Sequence, residues 1–89
     1  MDAQLKEQLR LTLLGILEAT SRYGLPLDAI TLQVRCRGFE KITRDQVEPE
    51  LQYLEDFGFI EQALKQISPE NRAWRIHAKG RDFLAQREP

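Results

Sequence analysis

Apolar residues recur along the chain with a helical period, then an ambiguous one, then alternate, then return to a helical period. Leu5, Leu9, Leu13, Ile16 and Leu17 share one face of a helix expected over residues 3–23, and Leu11 and Leu14 widen that face. Lys6, Glu7, Arg10 and Glu18 fall mostly opposite. Gly15 costs such a helix about 1 kcal/mol relative to Ala, and marks a place for close approach by a neighbouring element. Gly24 ends the helix and Pro26 bars its continuation. Over Leu27–Gly38 two periods compete. Ile30, Leu32, Val34 and Cys36 alternate with Thr31, Gln33, Arg35 and Arg37, as in a half-buried strand. Asp28 as N-cap, Gly38 at C′ and the i,i+4 pairs Ile30–Val34 and Leu32–Cys36 fit a short helix instead, preceded by a brief extended Leu25–Leu27. Phe39 and Ile42, in the connection that follows, are candidate core plugs.

Thr43–Ile60 is the most sharply punctuated stretch. Thr43 is a candidate N-cap with Gln46 three residues on, the spacing of a capping box. Val47, Leu51 and Leu54 form one helical stripe, Phe57 extends it, and Gly58 stands where a C′ glycine stops a helix. Pro49 conflicts with that helix: it lacks the N–H that would bond the carbonyl of Asp45. The helix therefore kinks there, or Glu48 is a second start with Pro49 at N1. Residues 59–67 and 73–77 are expected as antiparallel strands joined by the turn formers Ser68–Arg72. Trp74 and Ile76 alternate with Arg75 and His77, which places the first pair on the core and the second outward. Ala78–Arg87 closes the chain as a helix with Phe83 and Leu84 inward, Lys79, Arg81 and Arg87 outward, and a slight weakness at Gly80.

At 89 residues this pattern describes one domain, 1–89, with its core in 5–86. The 42% hydrophobic and 30% charged content is that of an ordinary globule, and no stretch approaches the ~18 apolar residues of a membrane span. MDAQLKEQLR lacks the basic-then-apolar order of a signal peptide, and the single cysteine permits no internal disulfide; both lead us to expect a cytoplasmic protein. The formal charge is −1, but it is unevenly spread. In residues 42–60, Asp45, Glu48, Glu50, Glu55 and Asp56 oppose only Arg44. In residues 61–89, six cations oppose four acids. That asymmetry is expected to persist as a field around the folded chain.

The run ITRDQVEPELQYLEDFGFIEQ, then a turn, then AWRIHAKGRDFLA, resembles the core of winged-helix transcription regulators of the ArsR, MarR and PadR type. His77 and Ala78 stand where leucine or threonine is more usual there. The TRDQV…EL..LE..GFI pattern is also similar to small winged-helix proteins of Mu-like prophages, which implies a bacterial or phage origin. The resemblance implies an α+β, mostly helical winged helix-turn-helix: a three-helix core, a two-stranded wing and a C-terminal helix, with 27–38 helical. It further implies that the helix starting at Thr43 enters duplex DNA. Its base readers would be Arg44, Asp45, Glu48, Gln52 and Tyr53, where Arg44 suits guanine and Gln52 adenine. Phosphate contacts would come from Arg35, Arg37 and Lys41 near the turn, and from Lys65, Arg72 and Arg75 on the wing.

Other chemistry finds little footing. One Cys and one His, Cys36 and His77, do not make a metal site, and Cys36 is expected as a small buried hydrophobe. Glu55 and Asp56 point about 100° apart on a helix, poor geometry for an acid–base couple. No catalytic triad or phosphate-cradling glycine loop is visible, so neither an enzyme nor a cofactor is expected. Two partners besides DNA remain open. The broad apolar face of helix 3–23 fits a homodimer seam, and the acidic helix fits a basic protein partner in a bacterial or phage assembly.

Overall fold

Helix α1 (Ala3–Glu18) buries Leu9, Leu13, Leu14, Ile16 and Leu17 and supplies the centre of the core. The computed structural model describes residues 2–20, 24–63 and 72–87 of the chain. Asp2 caps α1, its Oδ1 accepting from the N–H of Leu5 at 2.8 Å. The helix is shorter than the expected 3–23. It ends at Ala19, where the Thr20 N–H turns to Leu17 O at 3.3 Å and the Thr20 hydroxyl donates to Ile16 O at 2.6 Å. Residues 21–23 lie outside the described chain. The apolar face also begins later than its period implies, because Leu5 is 44% exposed. Nothing approaches a Cβ built on Gly15 within 4 Å, so no element packs close there.

Strand β1 (Leu25–Pro26) leads into α2 (Leu27–Cys36), which resolves the ambiguous stretch as a helix. Leu27, Ile30, Thr31 and Val34 face inward. Pro26, rather than Asp28, is the N-cap, and Asp28 lies in the first turn. The same spacing sends Leu32 and Cys36 outward, so Cys36 is exposed and not the buried hydrophobe expected. Their i,i+4 pairing is real as geometry but falls on the wrong face. In the turn after α2, Ile42 is buried and Phe39 packs against the core, as expected of plugs.

Helix α3 (Arg44–Asp56) begins as its capping box dictates, with the Thr43 N–H donating to Gln46 Oε1 at 3.0 Å. Val47, Leu51 and Leu54 are buried. The helix runs through Pro49 as one element, so Glu48 is not a second start. Asp45 and Pro49 are both exposed, which leaves the freed Asp45 carbonyl to water. Gly58, at φ +82, ends α3: its N–H bonds Glu55 O at 2.9 Å and that of Phe59 bonds Leu54 O at 3.0 Å, the two bonds of a Schellman cap. Phe57 occupies the C-cap and is 49% exposed, so it does not extend the core stripe.

Strands β2 (Ile60–Gln62) and β3 (Ala73–Ile76) form an antiparallel hairpin with Ile60 opposite Ile76 and Gln62 opposite Trp74. β1 pairs with the other edge of β3, Leu25 opposite Trp74, giving the order β1-β3-β2. Pro26, which has no N–H to give, sits on an edge strand, where proline is tolerated. The third strand was visible in the sequence only as a brief extended segment. The expected strand 59–67 is observed to Gln62; residues 64–71, with most of the loop Ser68–Arg72, lie outside the described chain. Trp74 and Ile76 are buried while His77 is exposed, as the alternation requires.

Helix α4 (Ala78–Arg87) packs Phe83 and Leu84 on the core. Gly80 is not the incidental weakness expected. A Cβ there would lie 2.3 Å from Phe59 O and 2.9 Å from Ile76 Cγ1, so only glycine lets α4 lie against the entry to β2.

Candidate nucleic-acid interface

Helix α3 presents four flanks, and the chain assigns each a different neighbour. Val47, Leu51 and Leu54 face the core. Towards α1, Glu50 is only 8% exposed, and Arg10 Nε donates to its Oε1 at 2.6 Å. The Arg10 guanidinium also lies 3.6 Å from the centroid of the Tyr53 ring, and Tyr53 in turn lies 4.7 Å from Phe57. Towards the wing, Glu48 accepts from Arg72 at 2.7 Å and Glu55 accepts from Trp74 Nε1 at 3.0 Å. The outer flank carries Asp45, Pro49, Gln52 and Asp56, at the i, i+4, i+7 and i+11 spacing of one helical stripe, and all are exposed. Gln52 Nε2 donates along that stripe to Asp56 Oδ1 at 2.9 Å.

The five candidate base readers therefore do not share one face of α3. Asp45 and Gln52 face outward. Arg44 is exposed at the start of α3 but pairs with Asp28 of α2 at 2.8 Å. Glu48 is turned to the wing. Tyr53, half-exposed as expected, lies on the α1 side beneath Arg10, away from the other four.

The candidate phosphate contacts divide similarly. Arg35 is engaged in the turn, its Nε donating to Ile42 O at 2.8 Å. Arg37 and Lys41 are exposed, and their side chains make no ion pair or hydrogen bond among the described residues. Arg72 pairs with Glu48 and lies 5.1 Å from the Trp74 ring centroid; Arg75 pairs with Glu61 at 3.1 Å. Lys65 lies outside the described residues. One cation not anticipated serves α3 itself: Lys79 Nζ donates to Phe57 O at 2.9 Å, where a positive charge also suits the C-terminal dipole.

Sequence reading missed the partners of these groups. Arg10 lies on the helix expected for it, but nothing in the sequence set it against Glu50, nor Asp28 against Arg44, nor Glu61 against Arg75. Nothing local signals such pairs, since Arg10 and Glu50 are 40 residues apart and Glu48 and Arg72 are 24 apart. Among the described residues, no three His, Cys, Asp or Glu side chains gather as a metal site would require, and no helix is long and apolar enough to cross a membrane.

Two helices joined by a tight turn, α2 and α3, a strand hairpin following the second of them, and the closing helix α4 against α1 define a winged helix-turn-helix. No family model matches the chain, and no curated protein does. Among solved structures, the chain is similar to a PadR-like transcriptional regulator from Bacillus cereus, with a TM-score of 0.77 and 21% identity over 96% of this chain and 82% of the other. The fold expected from the sequence is thus found both in the arrangement of elements and in a known structure.

Proposed function

We propose that this chain binds duplex DNA as a winged-helix transcriptional regulator. One observation carries the reading: Arg37 and Lys41, exposed and without an ion pair or hydrogen bond among the described residues, flank the turn that delivers α3. These two cations take the first phosphates, Arg72 and Arg75 beside the β2–β3 hairpin take others, and Lys65, outside the described residues, joins them. Arg44 and Gln52 supply base preference. The fold likeness to a transcriptional regulator supports this reading. The acids on the outer flank of α3 oppose a purely electrostatic grip, so phosphate contacts beside the helix must offset them.

The test is fluorescence anisotropy of labelled mixed-sequence duplex DNA at ~50 and ~200 mM salt. Binding at the lower salt that collapses at the higher is expected. Arg37→Ala with Lys41→Ala should weaken all duplexes alike and flatten the slope of log affinity against log salt by about 2. An unchanged slope would remove the turn from the interface. A second reading rests on Asp45 and Asp56, which give the outer flank of α3 two carboxylates and no cation. In that reading the flank docks a basic protein partner, and the duplex stays unbound even at ~50 mM salt.

The finer assembly is also a proposal. A groove of about 440 Å³ runs between α1, the end of α3 and α4, lined by Leu11, Leu14, Tyr53, Phe57, Phe59 and Phe83 among others. The half-buried Leu11 of α1 and the exposed Phe57 ring support a second copy of the chain at this groove.

A further inference from the structure

The Arg72 guanidinium is not aimed out along the wing. It is aimed at α3, where Glu48 Oε1 holds it at 2.7 Å, and both side chains remain partly exposed. Its approach is fixed from behind. The guanidinium lies over the Trp74 ring at 5.1 Å, and the indole N–H is bound by Glu55 of the same helix. Glu48 and Glu55, seven residues apart, thus fasten the start of β3 to one flank of α3 through two different donors. A carboxylate on a guanidinium presents the same charge and the same paired oxygens as a backbone phosphate. We propose that Glu48 occupies the phosphate position on Arg72 and withholds this cation from DNA, so that the wing's electrostatic grip is held in check by the reading helix itself.

This rests on the DNA reading above and adds a regulator to it. A wing cation neutralised from within contributes little to sequence-independent affinity, whereas Arg37 and Lys41 contribute fully. A duplex gains Arg72 only where its phosphate displaces Glu48. Glu48 therefore lowers background binding more than binding to a well-fitted site. Its role is specificity, exercised through Arg72 and not by touching a base.

The experiment is a double-mutant cycle on the full chain, with wild type, Glu48→Gln, Arg72→Ala and the double variant titrated against one labelled mixed-sequence duplex across salt. Glu48→Gln is expected to tighten binding by up to about fivefold, the scale of an exposed ion pair, and to steepen the salt slope by about 0.9. Both gains should vanish when Arg72 is also Ala. Equal gains with and without Arg72 would mean that Glu48 merely repels phosphate, and would overturn the proposal. Weaker binding by Glu48→Gln would mean that Glu48 positions Arg72 for contact, and would overturn it too, as would no change beside a wild type that binds. If neither wild type nor Glu48→Gln binds at ~50 mM salt, the DNA reading itself falls and takes this one with it.

Discussion

Gly15 and Gly80 both lie within helices, Gly15 late in α1 and Gly80 in the first turn of α4, yet the fold sets them opposite tasks. Around Gly15 there is open space, so a methyl group meets nothing and the backbone entropy of glycine is simply lost on folding. Gly15→Ala should raise stability by about 0.5–1 kcal/mol. At Gly80 the added carbon would collide with the Phe59 carbonyl, and Gly80→Ala should cost about 1–3 kcal/mol despite the better helix propensity of alanine. Urea midpoints at constant slope would show both signs; equal signs would mean propensity alone governs both sites. Residues that act within a turn of their neighbours were legible in advance. Thr43 with Gln46 started α3, Gly58 stopped it, and Trp74 with Ile76 faced inward. Cys36 was not legible, because alternation and a helical period both fit its surroundings and only tertiary packing decides which face of α2 is buried.

At the scale of elements, α3 is held by carboxylates as much as by leucines. The Glu50–Arg10 pair joins it to α1 at a place where Glu50 is nearly buried. Arg10→Ala strands that carboxylate and removes the cation from the Tyr53 ring. It should cost about 1–3 kcal/mol, less than a fully buried pair because Arg10 stays partly in water. Thermal or urea unfolding would measure it, and a loss under ~0.5 kcal/mol would place α1 and α3 together by apolar contact alone. Helix and hairpin existence could be read from period and punctuation. The pairing of β1 with β3, and the ion pairs that set the flanks of α3, could not, since they join segments with no local signature.

For the whole molecule, the uneven charge of the sequence does not survive as one acidic body beside one basic body. Glu50 is matched by Arg10 from the first helix and Glu48 by Arg72 from the wing, so folding interleaves the two signs. Among the described residues, Arg37 and Lys41 at the turn and Asp45 on the outer flank of α3 are among the exposed charges that make no ion pair. The apolar groove beside α1 is a separate surface. If it seats a second copy, sedimentation should show a concentration-dependent dimer, and Phe57→Glu should leave a monomer of unchanged secondary structure. A dimer that persists in that variant would exclude the groove as the seam. DNA contact and self-association would then be separable by mutation, because they lie on different sides of α3.

Cys36 is the one thiol in the chain, it is exposed, and it directly precedes Arg37 at the end of α2. The native protein thus carries its own address for a dye or spin label, with no substitution needed and no second thiol to confuse the signal. A fluorophore attached there sits at the mouth of the turn, and if the chain binds DNA as proposed, its rotation and quenching would register a duplex arriving at Arg37 and Lys41 in real time. In a paired assembly, two such labels define a single intermolecular distance, and that distance reports how far apart the two α2–α3 turns are held.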